Sequence, residues 1–306
     1  MELTKEALSW IITQVARLRA SHGEAIGQPS LVEPTGKYFP DEFSLDGGSV
    51  ERLLKRLMSY TPLDEELSVK LGFEEDPEAA KAGGCGSTAC GKGGSGGGAR
   101  GHVVPMRDGY GVVVDTRDVA NPVTLTTTLA RSVGALVLAE GGEEPRPEEA
   151  GLVSEVCAAT LGFGILLLNG AALYAKGCGG IKLHQATHLS VPETAALTAL
   201  VCRVYGHDPS TVKKHLEVTQ KEAFVDALAW IDSNPEIVHK LRTAPELLEG
   251  GAFEIAPPRG FFGRLFLKKP ETELAPRPPT KKVRTPEELR RLEEAKRLVD
   301  EALSSS

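Results

Sequence analysis

A chain of 306 residues can hold one large domain or two small ones. Its 41% hydrophobic and 25% charged content is ordinary for a soluble globular protein. A net charge of −7 argues against wholesale electrostatic binding to nucleic acid and predicts no specific nucleic-acid partner.

The N-terminus, MELTKEALSWIITQV, carries acidic residues early and lacks an apolar core followed by a small-residue cleavage site, so it reads as a helix and not as a signal peptide. Leu3, Leu8, Ile11, Ile12, Val15 and Leu18 predict an amphipathic helix over 2–20. Residues 29–46, punctuated by Pro40, read as a loop or short strand. A helix is expected at 49–60 and a strand at 66–74.

Residues 82–101, AGGCGSTACGKGGSGGGARG, are glycine-rich. They contain a near-match to a phosphate-binding loop, Gly86-x4-Gly91-Lys92. A working loop needs a buried strand before it, a Ser or Thr after the lysine and a helix behind it. None of the three is present, so the segment reads as a flexible insertion. Cys85 and Cys90 form C-x4-C within it; zinc would need two more ligands, and His102 is the near candidate in sequence. The five cysteines, without an export signal, fit reduced thiols and a cytoplasmic location, with Cys157 and Cys202 as core residues.

HVVPMRDGYGVVVD, 102–115, reads as a hairpin turning at Asp108-Gly109. Helices are then expected at 121–139, 147–175, 190–205, 209–232 and 234–243. The one at 190 opens on the capping box Ser190-Val191-Pro192-Glu193. Val156–Ala175 carries no charge and is long enough to span a bilayer. Gly162, Gly164, Asn169 and Gly170 dilute it and no basic cluster flanks it, so a buried helix is expected and no transmembrane span.

Beyond about 245 prolines recur and apolar periodicity stops. The expected division is a domain over 1–245, a Pro-rich basic linker over 246–285 and a charged helix within 286–306, together a disordered, partly helical tail. Residues 259–284 hold eight Lys/Arg and two Glu. Within them Phe261, Phe262, Leu265 and Phe266 alternate with Arg264, Lys268 and Lys269. That pattern suits packing back on the domain, or recognition of a protein partner or an anionic surface.

His184-Gln185-Ala186-Thr187-His188 imitates the zinc-protease signature H-E-x-x-H, in which a helix sets two imidazoles on zinc and the glutamate activates water. Here glycines precede the motif, the next helix starts only at Ser190, and Gln185 cannot act as a base. It reads as two loop histidines. The alternative is an improvised metal-dependent hydrolase site built from Cys178, His184 and His188.

Two other segments carry a resemblance. They are Thr126–Glu140, TTTLARSVGALVLAE, and Gly151–Ala171, GLVSEVCAATLGFGILLLNGA. Together they resemble a bacterial family of gluzincin-type, zinc-metallopeptidase-like proteins. In that family a helix of the form T-L-A-H-E-L-A-H precedes one that supplies a glutamate ligand and an L-G-F-G-I run. Thr128-Leu129-Ala130 match the lead-in, and Leu161 to Ile165 match the LGFG run, with Asn169 and Ala171 in place. Tyr38-Phe39-Pro40-Asp41 and Leu189-Ser190 also look like family features, so the likeness spans roughly 30–205. It implies an α+β, mostly helical core with a small N-terminal β element.

The chemistry of that family is missing. Arg131 stands at the first histidine, Ser132 at the glutamate base, Ala135 at the second histidine and Gly151 at the ligand glutamate. Glu155 stands at an aspartate four residues on. A guanidinium in the first ligand position would repel a cation. Arg131 can instead pair with Glu155 one helix away, or face solvent. The resemblance therefore implies a degenerate member, a non-catalytic pseudoenzyme without a cofactor that serves as a protein-binding or scaffolding module.

Overall fold

Helix α1, Lys5–Ile26, starts where the Thr4 hydroxyl accepts a hydrogen bond from the Ala7 amide. Its buried stripe is the expected one, with Leu8, Ile11, Ile12, Val15 and Leu18 against the core. Helix α2, Gly47–Met58, is capped by the Asp46 carboxylate and turns Val50, Leu54 and Leu57 inward. The computed structural model describes residues 2–74, 102–177 and 180–258, with 175–177 and 180–182 known by backbone alone. The glycine-rich segment with Cys85 and Cys90, residue Cys178, the recognition segment Phe261–Lys269 and the terminal helix expected at 286–303 lie outside the described residues. The described residues all fall in one compact unit, Met1–Gly263.

The small sheet has the order β1-β3-β2, from Val69–Glu74, His102–Met106 and Gly109–Asp115. β1 runs parallel to β3, and β2 is antiparallel to it. The hairpin is the one expected, but Arg107 and Asp108 make the turn, while Gly109 already pairs with Met106. Val112 and Val114 of β3 fasten the sheet to the helices.

One turn, α3 (Thr116–Val119), leads into α4, Pro122–Glu140, whose first amides are capped by the Asn121 side chain. α4 is the central helix, packed on α2, on α5 (Ala150–Ala158) and on α6 (Gly164–Gly170). Gly134 permits the crossing with α5: a Cβ there would lie 2.2 Å from the Ser154 carbonyl oxygen. The Thr127 hydroxyl bonds the Leu166 carbonyl on α6 at 2.9 Å.

The continuous helix expected over 147–175 is not formed. A π turn at Ala159–Phe163 separates α5 from α6, with Gly162 at φ 101°. The freed Gly162 carbonyl accepts from the Val32 amide at 3.0 Å. α6 then stops at Gly170, and an antiparallel ribbon follows, β4 (Leu173–Gly177) with β5 (Gly180–His184).

Helix α7, Val191–Tyr205, begins at the Ser190/Glu193 capping box as the sequence indicates. The single helix expected over 209–232 is two, α8 (Pro209–Lys214) and α9 (Val218–Asp232). Between them the His215 ring reaches back to Glu33 at 2.8 Å. Helix α10, Pro235–Thr243, and a 3₁₀ turn, Pro245–Leu248, follow. Packing continues past residue 245: Leu248 and Ile255 are buried in the same core, and the Asn234 amide bonds both backbone groups of Ala256. The architecture is mostly helical with a small sheet, an α+β arrangement. Two of its helical stretches, Pro122–Glu140 and Ala150–Gly170, are long and apolar enough to cross a membrane. Of their apolar windows, 67% and 83% are buried inside the fold.

Candidate functional site

Along α4, residues 131 and 135 lie one helical turn apart, and so do 151 and 155 on α5. The crossing at Gly134 brings these two faces together. Of the five positions compared above with the metallopeptidase pattern, four carry groups that are not usual metal ligands: a guanidinium, a hydroxyl, a methyl and no side chain at all. Glu155 alone offers a usual ligand atom.

What occupies the crossing is an ion pair. Arg131 Nη1 lies 3.7 Å from Glu155 Oε1, with the two side chains 4% and 0% exposed. Of the two orientations open for Arg131 in the sequence, the inward one is adopted. The same guanidinium nitrogen donates to the Ala186 carbonyl at 2.9 Å. The carboxylate accepts the His188 amide on Oε1 at 2.6 Å and the Leu189 amide on Oε2 at 2.9 Å. Both charges therefore grip the backbone of one loop, 186–189, which leads into the cap of α7. Asp118 adds a second negative charge that acts on Arg131, and it accepts the Thr128 hydroxyl at 2.9 Å.

The loop also braces itself. Gln185 donates its amide protons to the Thr187 and Leu189 carbonyls, at 2.9 and 2.7 Å, and the Thr187 hydroxyl donates to Leu189 as well. Gln185, the residue standing where a zinc protease would have its base, is a structural tie. His184 and His188 do not share a helix. His184 is the exposed last residue of β5, and His188 lies in the loop beyond.

His188 holds a position that spacing did not reveal. A Cβ on Gly151 would come within 2.3 Å of its Nε2 and 2.4 Å of its Cδ2. The imidazole thus fills the space that a side chain at 151 would take. Ser132 shows no sign of activation, since its hydroxyl donates to the Thr128 carbonyl at 2.9 Å. Among the described residues no group of three or more His, Cys, Asp and Glu side chains is placed to hold a metal ion.

The electrostatics follow from burial. Desolvation pushes the Glu155 carboxyl up to about 7, against the opposing pull of Arg131 and the two amides. His188 as a whole is exposed, but the side of its ring that lies against Gly151 is desolvated, and this, helped by the neighbouring Arg131 charge, pushes the ring down to about 4. Burial also moves the Cys157 and Cys202 thiols up to about 12, which makes them inert core residues as expected.

These shifts have opposite consequences for stability. His188 has a depressed pKa, so its contribution is present above its ordinary 6.5 and is lost as the pH falls toward 4. Glu155 has a raised pKa, so its contribution is complete below its ordinary 4.5 and is lost as the pH rises through about 7. The two slopes oppose one another where they overlap. Replacing His188→Gln should therefore remove only the acid-side loss. We expect the difference in urea midpoint between native chain and variant to shrink as the pH is lowered from 6.5 to 4. A difference that stays constant over that range would refute the placement of His188.

No family model, curated protein or solved structure matches this chain.

Proposed function

We propose that this protein is a non-catalytic, metallopeptidase-like pseudoenzyme that acts as a binding or scaffolding module. The observation that carries the reading is the Arg131–Glu155 pair, which stands where two metal-binding helices would cross and ties both to the 186–189 loop. A buried arginine is incompatible with a cation at the same point. Hydrolysis would further need a base beside a bound water, and the position expected to supply it is Ser132.

A cytoplasmic location without a membrane span belongs to the same proposal. It is supported by the burial of the two apolar helices and by the charged pair they enclose. So does a protein partner, with residues 259–284 proposed as a segment that meets a partner or an anionic surface. Their support is compositional, eight Lys/Arg against two Glu.

The test of the activity half is direct. Full-length protein incubated with a fluorogenic peptide library and added zinc should give no turnover above the protein-free blank. Turnover that disappears on chelation would overturn the reading.

A further inference from the structure

A groove of about 660 Å³ runs along α1, and neither Arg131 nor Glu155 lines it. One wall is α1 itself; the other is the extended stretch that carries Phe253 and Ile255. Four features of it are of the kind a linear peptide requires.

The first is Gln14. Its side chain lines the groove, is 8% exposed, and makes no hydrogen bond to any described residue. The buried side-chain polar atoms that lack a partner among the described residues belong to Arg19, Tyr205, His207 and Gln220, so the Gln14 amide keeps access to solvent through the groove and is free to pair with a ligand. An amide donates and accepts at once, which matches a peptide bond.

The second is the opposite wall, where the backbone amides and carbonyls of Glu254 and Ile255 bond to no described residue. An extended backbone with free polar groups is a template for an added strand. The third is the pair Trp10 and Phe253, partly buried on facing walls and able to receive an apolar side chain.

The fourth is charge. Lys5 and Arg17 are exposed, line the groove and make no ion pair among the described residues. They stand twelve residues apart on α1, about 18 Å at 1.5 Å per residue. That distance takes five or six residues of extended peptide at about 3.3 Å each. Glu6 and the Arg146–Glu149 pair also line the groove, leaving it with one excess positive charge on a chain of net −7.

We infer that this groove binds a linear, extended peptide segment carrying an aromatic or aliphatic side chain flanked by carboxylates. The central side chain sits between Trp10 and Phe253, the peptide backbone pairs with Gln14 and the 254–255 stretch, and the carboxylates meet Lys5 and Arg17. This deepens the binding-module reading above and rests on it.

The probe is a displayed library of random linear heptapeptides selected on the immobilised full chain. We expect enrichment of sequences with one apolar residue bracketed by Asp or Glu. The chain has two tryptophans, so Trp230→Phe leaves Trp10 as the single reporter, and its emission should change on adding an enriched peptide. Gln14→Met and the double reversal Lys5→Glu/Arg17→Glu should each weaken binding more than about tenfold. If Gln14→Met does not fold, the double reversal at two exposed positions still decides. No enrichment, or enriched peptides indifferent to the variants, would overturn the inference. Stoichiometric catalytic metal in the protein would instead sink the pseudoenzyme reading and leave the groove result as it stands.

Discussion

Glu155→Ala is expected to destabilise the protein by at least about 4 kcal/mol, a large fraction of the 5–15 kcal/mol typical of a domain. Three losses coincide. The Arg131 guanidinium, only 4% exposed at its side chain, stays in the interior without Glu155. Breaking a buried pair from one side costs about 3–5 kcal/mol. The His188 and Leu189 amides lose their acceptors, at about 1–3 kcal/mol for each that stays buried and unpaired. These terms are not additive, because the loop can relax toward water once released.

Arg131→Met should cost less, about 2–3 kcal/mol. The carboxyl left behind can take up a proton, and burial has already moved it to about 7. The double variant should be less damaged than the two single losses combined, with a coupling of at least about 1.5 kcal/mol in urea unfolding. Additive losses, or a Glu155→Ala cost below about 1 kcal/mol, would show that the pair does not lock the crossing.

The second large effect is expected at Gly162. Its φ of 101° lies where side-chain-bearing residues rarely go, and a Cβ would sit 2.0 Å from the Ser30 carbonyl oxygen. That oxygen belongs to backbone, so the clash cannot be relieved by turning a side chain. The adjacent bond from Val32 to the Gly162 carbonyl would be strained with it. Gly162→Ala should cost about 3–5 kcal/mol, combining a forbidden conformation with overpacking. Gly142 has φ 73° and nothing within 4 Å, so Gly142→Ala carries the conformational cost alone, about 1 kcal/mol. Comparable losses at both glycines would mean that the approach to Ser30 does not matter.

Much of the scaffold could be read from the chain. Helical spacing identified α1, α2, α4 and α10, and the capping box placed the start of α7 to the residue. The Asp108-Gly109 pair found the hairpin, one residue out of register. The facing of Arg131 and Glu155 was one of two readings left open by the matched helices, and only packing decides between them.

The misses have a common cause. At Gly162 the sequence is a continuous apolar run, and the kink exists because a loop 130 residues earlier bonds its carbonyl. The break between α8 and α9 coincides with the His215 contact to Glu33, a distant partner that local pattern cannot name. The β4–β5 ribbon is five residues a side with glycine at its turn end, too short for alternation to outweigh the apolar helix before it. His188 over Gly151 is the hardest case. A glycine in a helix and a histidine in a loop carry no shared signal, and only the fold makes one fill the space of the other.

Metal analysis of full-length protein, purified without chelators, tests the central claim most directly when paired with thermal unfolding before and after chelation. If Arg131 and Glu155 lock the helix crossing in place of a cation, as proposed, zinc and other divalent metals should be well below one per chain, and chelation should leave Tm unchanged within about 1 °C. One equivalent of tightly held metal whose removal lowers Tm would contradict the account, and the variant His184→Ala/His188→Ala would then locate the site.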